Sequence, residues 1–419
     1  MTTDRDLLLA RQAELDALRA WILGAAATLA GLGLVLIYSA SAVRAEGFGW
    51  ELFFVERQVW WLAAGLAPFA LAWRIDYRWI AAVRWPLLLF GLGALVAVLV
   101  PGIGHEVNGA RRWFRVAGYS IQPSEAAKVV LVAAMAGILA RMEDRLPKSL
   151  LRFLVAMGLA LGSAALVAME PDLGTAVLLA TVLSAMVFAA GARLVHLAAG
   201  AGLALAGLAV LLAVRFDAIA SRFGYVWDRV LAWHEGDVHG KGYHAYMSVQ
   251  ALKSGGTFGM APGRGWAKLG YLPEAHTDFI FAVAGQELGL AGTAGILLVF
   301  AVLIICGMRL VRVCPDGFGS LLAFGITLLL GLQAAFNIAV VTGATPTKGI
   351  SLPFVSFGGS GLVCSMTMLG LLASITRHAY GPHLRVAAPA GSGSAWGAHL
   401  LAGLVRGDSV RASVQAGEE

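Results

Sequence analysis

A chain of 419 residues in which 59% are hydrophobic and only 13% charged is too apolar for a single water-soluble core. Its formal charge of +6 is scattered over short segments, which predicts oriented membrane helices and no nucleic-acid partner. Cys306, Cys314 and Cys364 sit in or beside apolar runs without metal-ligand spacing, so neither a disulfide framework nor a zinc site is expected.

A polar stretch carrying Arg5, Asp6, Arg11, Glu14, Asp16 and Arg19 leads into the first apolar run near Trp21. No small-residue cleavage site follows that run, so it reads as a membrane helix and not a signal peptide. Further runs near the length that crosses about 30 Å of hydrocarbon follow. The predicted spans are 21 to 42, 57 to 73, 84 to 101, 123 to 141, 151 to 169, 173 to 190, 193 to 214, 278 to 308, 318 to 342 and 359 to 377. The expectation is an all-α polytopic membrane protein of about ten helices. With the amino terminus inside, the short inner segments collect most of the arginines, whereas the short outer loops hold only Arg44, Arg57, Arg111, Arg112, Arg115 and Lys348. Both termini then face the cytoplasm. Residues 1–20 form a cytoplasmic segment, 21–380 the membrane domain with a large outer loop at about 215–277, and 381–419 a weakly ordered cytoplasmic tail. Trp396 to Val405 in that tail has the pattern of a short amphipathic surface segment. The span from Asp278 is long, and Gly285, Gly289, Gly292 and Gly295 give it places to bend or break.

Three outer loops carry nearly all the polarity that spanning does not require. The first runs from Asn108-Gly109-Ala110-Arg111-Arg112-Trp113 to Gln122-Pro123-Ser124-Glu125-Ala126-Ala127-Lys128, where Pro123 suits a first helical turn. Glu125 and Lys128, three apart, share a helix face and can pair, either as a structural ion pair with Lys128 reaching outward or as part of a site. Arg111 and Arg112 match phosphate geometry. Glu170 and Asp172 open the sixth helix and are most simply helix-start residues.

The second loop begins with Arg222, Trp227, Arg229 and Trp233, a pattern suited to the headgroup level, and ends in Leu272-Pro273-Glu274-Ala275-His276-Thr277-Asp278-Phe279-Ile280-Phe281. Asp278 stands where the eighth span starts, before an apolar Phe-Ile-Phe, so desolvation can raise its pKa toward that of a useful general base. It can equally complement the helix N-terminus with Thr277 as cap. Glu287 lies about 13 Å deeper, as a functional intramembrane carboxylate or a hydrogen-bonding group facing a neighbouring helix. The third loop, Thr345 to Ser360, is constrained by prolines and glycines and is expected to re-enter the membrane. Lys348 would point a cation into its cavity, where beside Arg112 and Lys128 it could complete a cationic cradle.

These segments resemble the SEDS family of bacterial cell-wall polymerases over roughly residues 20 to 380. The resemblance rests on Asn108 to Trp113, Gln122 to Glu125 with Lys128, Pro171 to Thr175, Leu272 to Phe281, and Pro346 to Gly349 with Leu352 to Ser360. The Pro346-Thr347-Lys348-Gly349 form is similar to the division branch more than to the elongation branch. Phe357, Gly361 and Gln286 depart from the common pattern, and the loop from Gly255 to Lys268 is shorter than in many relatives. The resemblance implies a glycosyltransferase that polymerises lipid II, an undecaprenyl-diphosphate-linked disaccharide-pentapeptide, at the outer face of the plasma membrane during septal wall synthesis. It implies that Asp278 is the catalytic carboxylate. It further implies that Arg111, Arg112, Glu125, Lys128, Glu274, His276, Lys348, Ser356, Gly358, Gly359 and Ser360 contact substrate, with Asn108, Asp172 and Glu287 in secondary roles. A divalent cation, Mg or Mn, and a class B penicillin-binding protein with other division proteins are the expected companions. The rival expectations are a lipid II flippase, an elongation polymerase and a division scaffold. Polarity concentrated at one face favours the enzyme.

Overall fold

The structure, a computed structural model, describes residues 4–46, 50, 52–107, 110–116, 119–142, 145–193, 195–196, 224, 229–235, 238, 240 and 242–380. The expectations for the 193–214 span, Asn108, Arg222, Trp227 and the tail from 381 lie outside these residues. The helices are α1 Asp4–Glu46, α2 Phe53–Arg74, α3 Arg78–Ala82, α4 Arg84–Leu99, α5 Pro123–Ala140, α6 Leu150–Met169, α7 Leu173–Ala189, α8 Tyr243–Gly255, α9 Ile280–Val313, α10 Gly317–Val341 and α11 Gly359–His378. Every predicted span within the described residues is a helix, and the chain is a multi-pass membrane protein. Among the described residues six helices are long and apolar enough to cross a membrane, and α4 and α7 are shorter apolar helices. The first of them is already helical from Asp4, ahead of the membrane-crossing stretch.

The bundle is built around α5, whose residues from Ala127 to Leu139 are almost all buried. α4 and α7 pack on it, α10 and α11 flank it, and α2 lies along α11. Between α4 and α5 the chain forms a three-stranded antiparallel ribbon, β1 His105–Val107, β2 Ala110–Val116 and β3 Tyr119–Ile121. Arg111 faces Glu106 across the first pair, and Phe114 faces Ile121 across the second. Hydropathy over a helix-length window cannot register such short strands. The Tyr119 ring rests edge-on against Trp61 of α2 at 5.6 Å, which ties the ribbon to the end of the bundle where α2 begins.

α9 is broken as its glycines suggest. Gly289 takes φ +69°, ψ −166°, a conformation open to glycine alone, and a Cβ there would lie 2.3 Å from the Gly259 nitrogen. The backbone groups freed at the break are satisfied by the segment after α8. Met260 N–H donates to the Gln286 carbonyl (3.0 Å), and the Leu290 and Ala291 N–H groups donate to the carbonyls of Gly256 (3.0 Å) and Thr257 (3.1 Å). Irregular backbone at membrane depth survives only with such partners.

The loop between α10 and α11 re-enters the bundle, with Ile350 and Leu352–Ser356 buried. α1 can approach it because position 33 is glycine, where a Cβ would come within 2.8 Å of Phe354 and Val355 backbone atoms. From α2, Gln58 donates to the Ser356 carbonyl (3.2 Å) and accepts from Gly358 N–H (3.3 Å).

At the opposite end of the bundle a second polar group ties helix ends together. The Tyr77 hydroxyl donates to Asp316, which also accepts from Gly319 N–H (2.8 Å) as the N-cap of α10. Arg78 pairs with Asp316 (3.8 Å) and donates to the Ala379 carbonyl (3.0 Å). Arg11 reaches the Tyr380 hydroxyl (3.1 Å), and Arg309 pairs with Glu14 (2.7 Å), which pins the start of α1 to the ends of α9 and α11.

Candidate active site

The two segments singled out for chemistry run side by side. Three successive carbonyls, those of His276, Thr277 and Asp278, accept from Phe357 N–H (2.9 Å), the Ser356 hydroxyl (2.6 Å) and the Asn337 side-chain amide (2.8 Å). This stitching places the Asp278 carboxylate against Gly349, where a Cβ would come 3.0 Å from Oδ2. Any residue but glycine at 349 would crowd the carboxylate.

Beside them opens a pocket of about 130 Å³ lined by Arg112, Pro171, Asp172, Leu173, Gly174, Arg229, Val230, Pro346, Thr347, Lys348 and Gly349. Arg112 comes from β2, and its guanidinium donates to the carbonyls of Glu170 (2.8 Å) and Pro171. Arg229 comes from the large outer loop and reaches the Thr347 carbonyl (3.4 Å), while Trp233 one turn on donates to the Gly343 carbonyl (2.8 Å). Lys348 lies over the start of α7, with its Cβ 3.5 Å from a Cβ built on Gly174.

Asp278 is half-buried, and its carboxylate makes no hydrogen bond or ion pair with the described residues. Burial pushes its pKa up to about 7, with the charges of Glu274 and Asp172 adding to the rise and Arg229 opposing it. The helix N-terminus does not claim it, since the N-cap of α9 is Phe279 and no side chain caps it. Thr277 turns back to Glu274 instead (3.1 Å). Burial lowers the pKa of Lys348, and Asp172 partly offsets this. Glu170 is wholly buried, with neither carboxyl oxygen bonded among the described residues. Burial and then Asp172 lift it to about 8 against the pull of Arg112, so at neutral pH it is mostly uncharged. Three cations therefore face the single carboxylate of Asp172 in the pocket, with the Asp278 carboxylate at its Gly349 edge.

Asp172 is the N-cap of α7, as the simplest reading had it. It accepts from Thr175 N–H (3.1 Å), the Thr175 hydroxyl (2.9 Å) and Gln122 (3.2 Å). Lys128, expected beside Arg112 and Lys348, neither lines this pocket nor reaches outward. Only 2% exposed, it pairs with Glu125 (2.8 Å) and donates to Gln333 of α10 (3.0 Å), so its charge is spent inside the bundle. Arg111 pairs with Glu106 on the ribbon (3.2 Å). Ser356 and Gly358 tie the re-entrant loop to its neighbours as described above. Gly359 makes room for Trp61, which a Cβ would meet at 2.2 Å, and Ser360 follows it in the first turn of α11. His276 packs its ring between Phe54 (4.8 Å) and Phe357 (5.6 Å). Glu287, deep beside the α9 break, accepts from Ser39 (2.6 Å) and pairs with Lys268 (3.3 Å), the structural alternative of its two readings.

Arg229 and Asn337 were not expected at the site. Arg229 was visible only as one cation among aromatic residues, whereas Asn337 carries a plain signal, an amide in the middle of an apolar helix. Among the described residues no group of three or more His, Cys, Asp or Glu side chains can hold a metal ion. A pocket walled by cations, with the Asp172 oxygens already bonded, does not fit a resident divalent cation.

Residues 19–381 match the model of a family described as cell cycle protein, which joins FtsW, RodA and SpoVE. The chain is 40% identical over 354 residues to a probable peptidoglycan glycosyltransferase FtsW of Trichlorobacter lovleyi, spanning 83% of this chain and 90% of the relative. Among solved structures it resembles a chain of a peptidoglycan synthase complex that coordinates polymerization and crosslinking, with TM-score 0.69, 27% identity, and 86% and 98% of the two chains covered. It also resembles the rod shape determining protein RodA of Thermus thermophilus, with TM-score 0.61, 26% identity, and 86% and 97% covered. This chain belongs to the FtsW, RodA and SpoVE family of cell cycle proteins.

Proposed function

We propose that the chain is a peptidoglycan glycosyltransferase that polymerises lipid II at the outer face of the plasma membrane during division. The observation that carries this reading is a partly desolvated carboxylate, without a partner among the described residues, held at the edge of a cation-walled pocket. A carboxyl with a pKa of about 7 is half ionised near neutral pH, where a general base works best. Asp278 takes the proton from the acceptor sugar's hydroxyl as that oxygen forms a bond to the donor's anomeric carbon. The bond from that carbon to the diphosphate oxygen breaks, and undecaprenyl diphosphate leaves with the electron pair. Arg112, Arg229 and Lys348, which line the pocket, meet the charge that builds on the diphosphate. Arg229 takes the place first expected for Lys128.

The division role rests on Lys348 and on the higher identity to relatives named FtsW. The site lies in the plasma membrane at the septum, with both termini cytoplasmic, and the natural partner is a class B penicillin-binding protein that crosslinks the new strand. A flippase needs charge left available along a path through the bilayer. Here Lys128 and Glu287, the deep charges, are each consumed in a buried pair.

The test is purified full-length chain with lipid II, alone and with its transpeptidase, comparing wild type with Asp278→Ala. Polymer from wild type only is expected. Equal polymer from both removes Asp278 from the reaction, and lipid scrambling without polymer turns the assignment to transport.

A further inference from the structure

The face of α10 that carries Gln333 and Asn337, four residues apart, lines no part of the pocket, yet both side chains are directed at the segments that build it. Gln333 donates to the Ser351 carbonyl (3.0 Å). Asn337, 1% exposed, donates one amide group to two carbonyls, those of Asp278 (2.8 Å) and Ile350 (2.7 Å). Carbonyl oxygens only accept, so the amide must present its nitrogen to both. Its own oxygen has no partner among the described residues, a cost that an apolar residue of the same shape would avoid.

The two bonds sit at a particular place. His276 and Thr277 are already fastened to the re-entrant loop by Phe357 and Ser356, and Asn337 fastens the next carbonyl in the row, that of Asp278 itself. On the other side it holds Ile350, whose N–H bonds the Lys348 carbonyl (3.1 Å). One side chain thus sets the place of the carboxylate and of the lysine loop relative to each other.

We propose that Asn337 is a positioning residue for glycosyl transfer, fixing the separation between the carboxylate that takes the acceptor's proton and the cationic loop that receives the leaving diphosphate. The inference rests on the glycosyltransferase reading above. Attack and departure occur on opposite sides of one anomeric carbon, so the two groups must keep their spacing while the bond order shifts. A displacement of about 1 Å costs such a reaction about a hundredfold in rate. Because the amide touches neither substrate, its loss should act on the transition state and leave lipid II binding nearly intact.

The experiment measures polymerisation of lipid II by the full-length chain with its transpeptidase, for wild type, Asp278→Asn, Asn337→Leu and Asn337→Ala. Leu keeps the branched outline of Asn without its donors, at a larger volume, and Ala leaves room for a water to satisfy the two carbonyls, so folding is retained in at least the second. Both Asn337 variants are expected to lower kcat about a hundredfold with KM nearly unchanged. The acid limb of the kcat profile, set by a carboxyl raised by burial, should move to lower pH as a loosened Asp278 becomes wetter. A role in stability alone would lower the folded fraction and leave that limb where it is. Wild-type kcat and an unmoved limb in the folded fraction overturn the inference, as does failure of both variants to fold. Polymer from Asp278→Asn at the wild-type rate would remove Asp278 from the reaction, and lipid scrambling without polymer from the wild type would sink the glycosyltransferase reading itself. An inactive Asp278→Asn beside fully active Asn337 variants sinks only the role of Asn337.

Discussion

The two polar ends of the bundle use the same residue types to opposite effect. At one end Tyr77, Arg78 and Asp316 bond one another, the first turn of α10 and the end of α11. At the other, Asp278 has a carboxylate with no partner among the described residues, and three cations stand around open space. The first arrangement is what polar groups do when they only hold helices together, since a buried polar group left unmade is costly. The second bears that cost, and the natural explanation is a ligand that completes it. Within the half that holds the pocket the same contrast separates Lys128, spent on Glu125 and Gln333, from Lys348, which lines the pocket.

That contrast can be broken by substitution. Lys128→Met should have the largest effect, a loss of about 3–5 kcal/mol of stability, because it strands Glu125 and Gln333 in a buried site. Thermal unfolding in detergent would register it, while the folded fraction polymerises at close to the wild-type rate. An unchanged melting temperature with lost activity would instead return Lys128 to the pocket. Lys348→Met should act in the reverse sense, lowering kcat/KM for lipid II by about 1.5–3 kcal/mol, roughly tenfold to a hundredfold, with little change in melting. The smallest effect belongs to the end that carries Tyr77 and Asp316. Tyr77→Phe should cost about 1 kcal/mol of stability, since Asp316 keeps its bonds to Gly319 and Arg78, and polymer yield per folded molecule should not move. A tenfold loss of activity there would mean that this end is coupled to the reaction.

Much of the architecture was legible because its signals are long or local. Apolar runs mark the helices, four glycines mark the break in α9, and the spacing of Glu125 and Lys128 announces their pair. The gathering of three polar loops at one end of the bundle followed from charge bias and loop chemistry. What stayed hidden depends on partners far along the chain. Nothing near Lys128 says that Gln333 will hold its ammonium inside the bundle, and that contact decides whether the lysine serves the pocket or the core. Arg229 joins the site only because its helical turn docks on Thr347 and Gly343. The ribbon escaped notice because strands of three to seven residues fall below a membrane-length window.

The break at Gly289 has a consequence for how the chain can vary. Leu290 and Ala291 draw their acceptors from Gly256 and Thr257, and Gln286 draws its donor from Met260. One residue inserted between Gly255 and Met260 would shift these partners out of reach and leave amides bare in hydrocarbon. Within the connection from α8 to α9, insertions and deletions are therefore expected only after Met260, and the five residues from Gly256 to Met260 behave as a fixed-length part of a helix to which they are not joined.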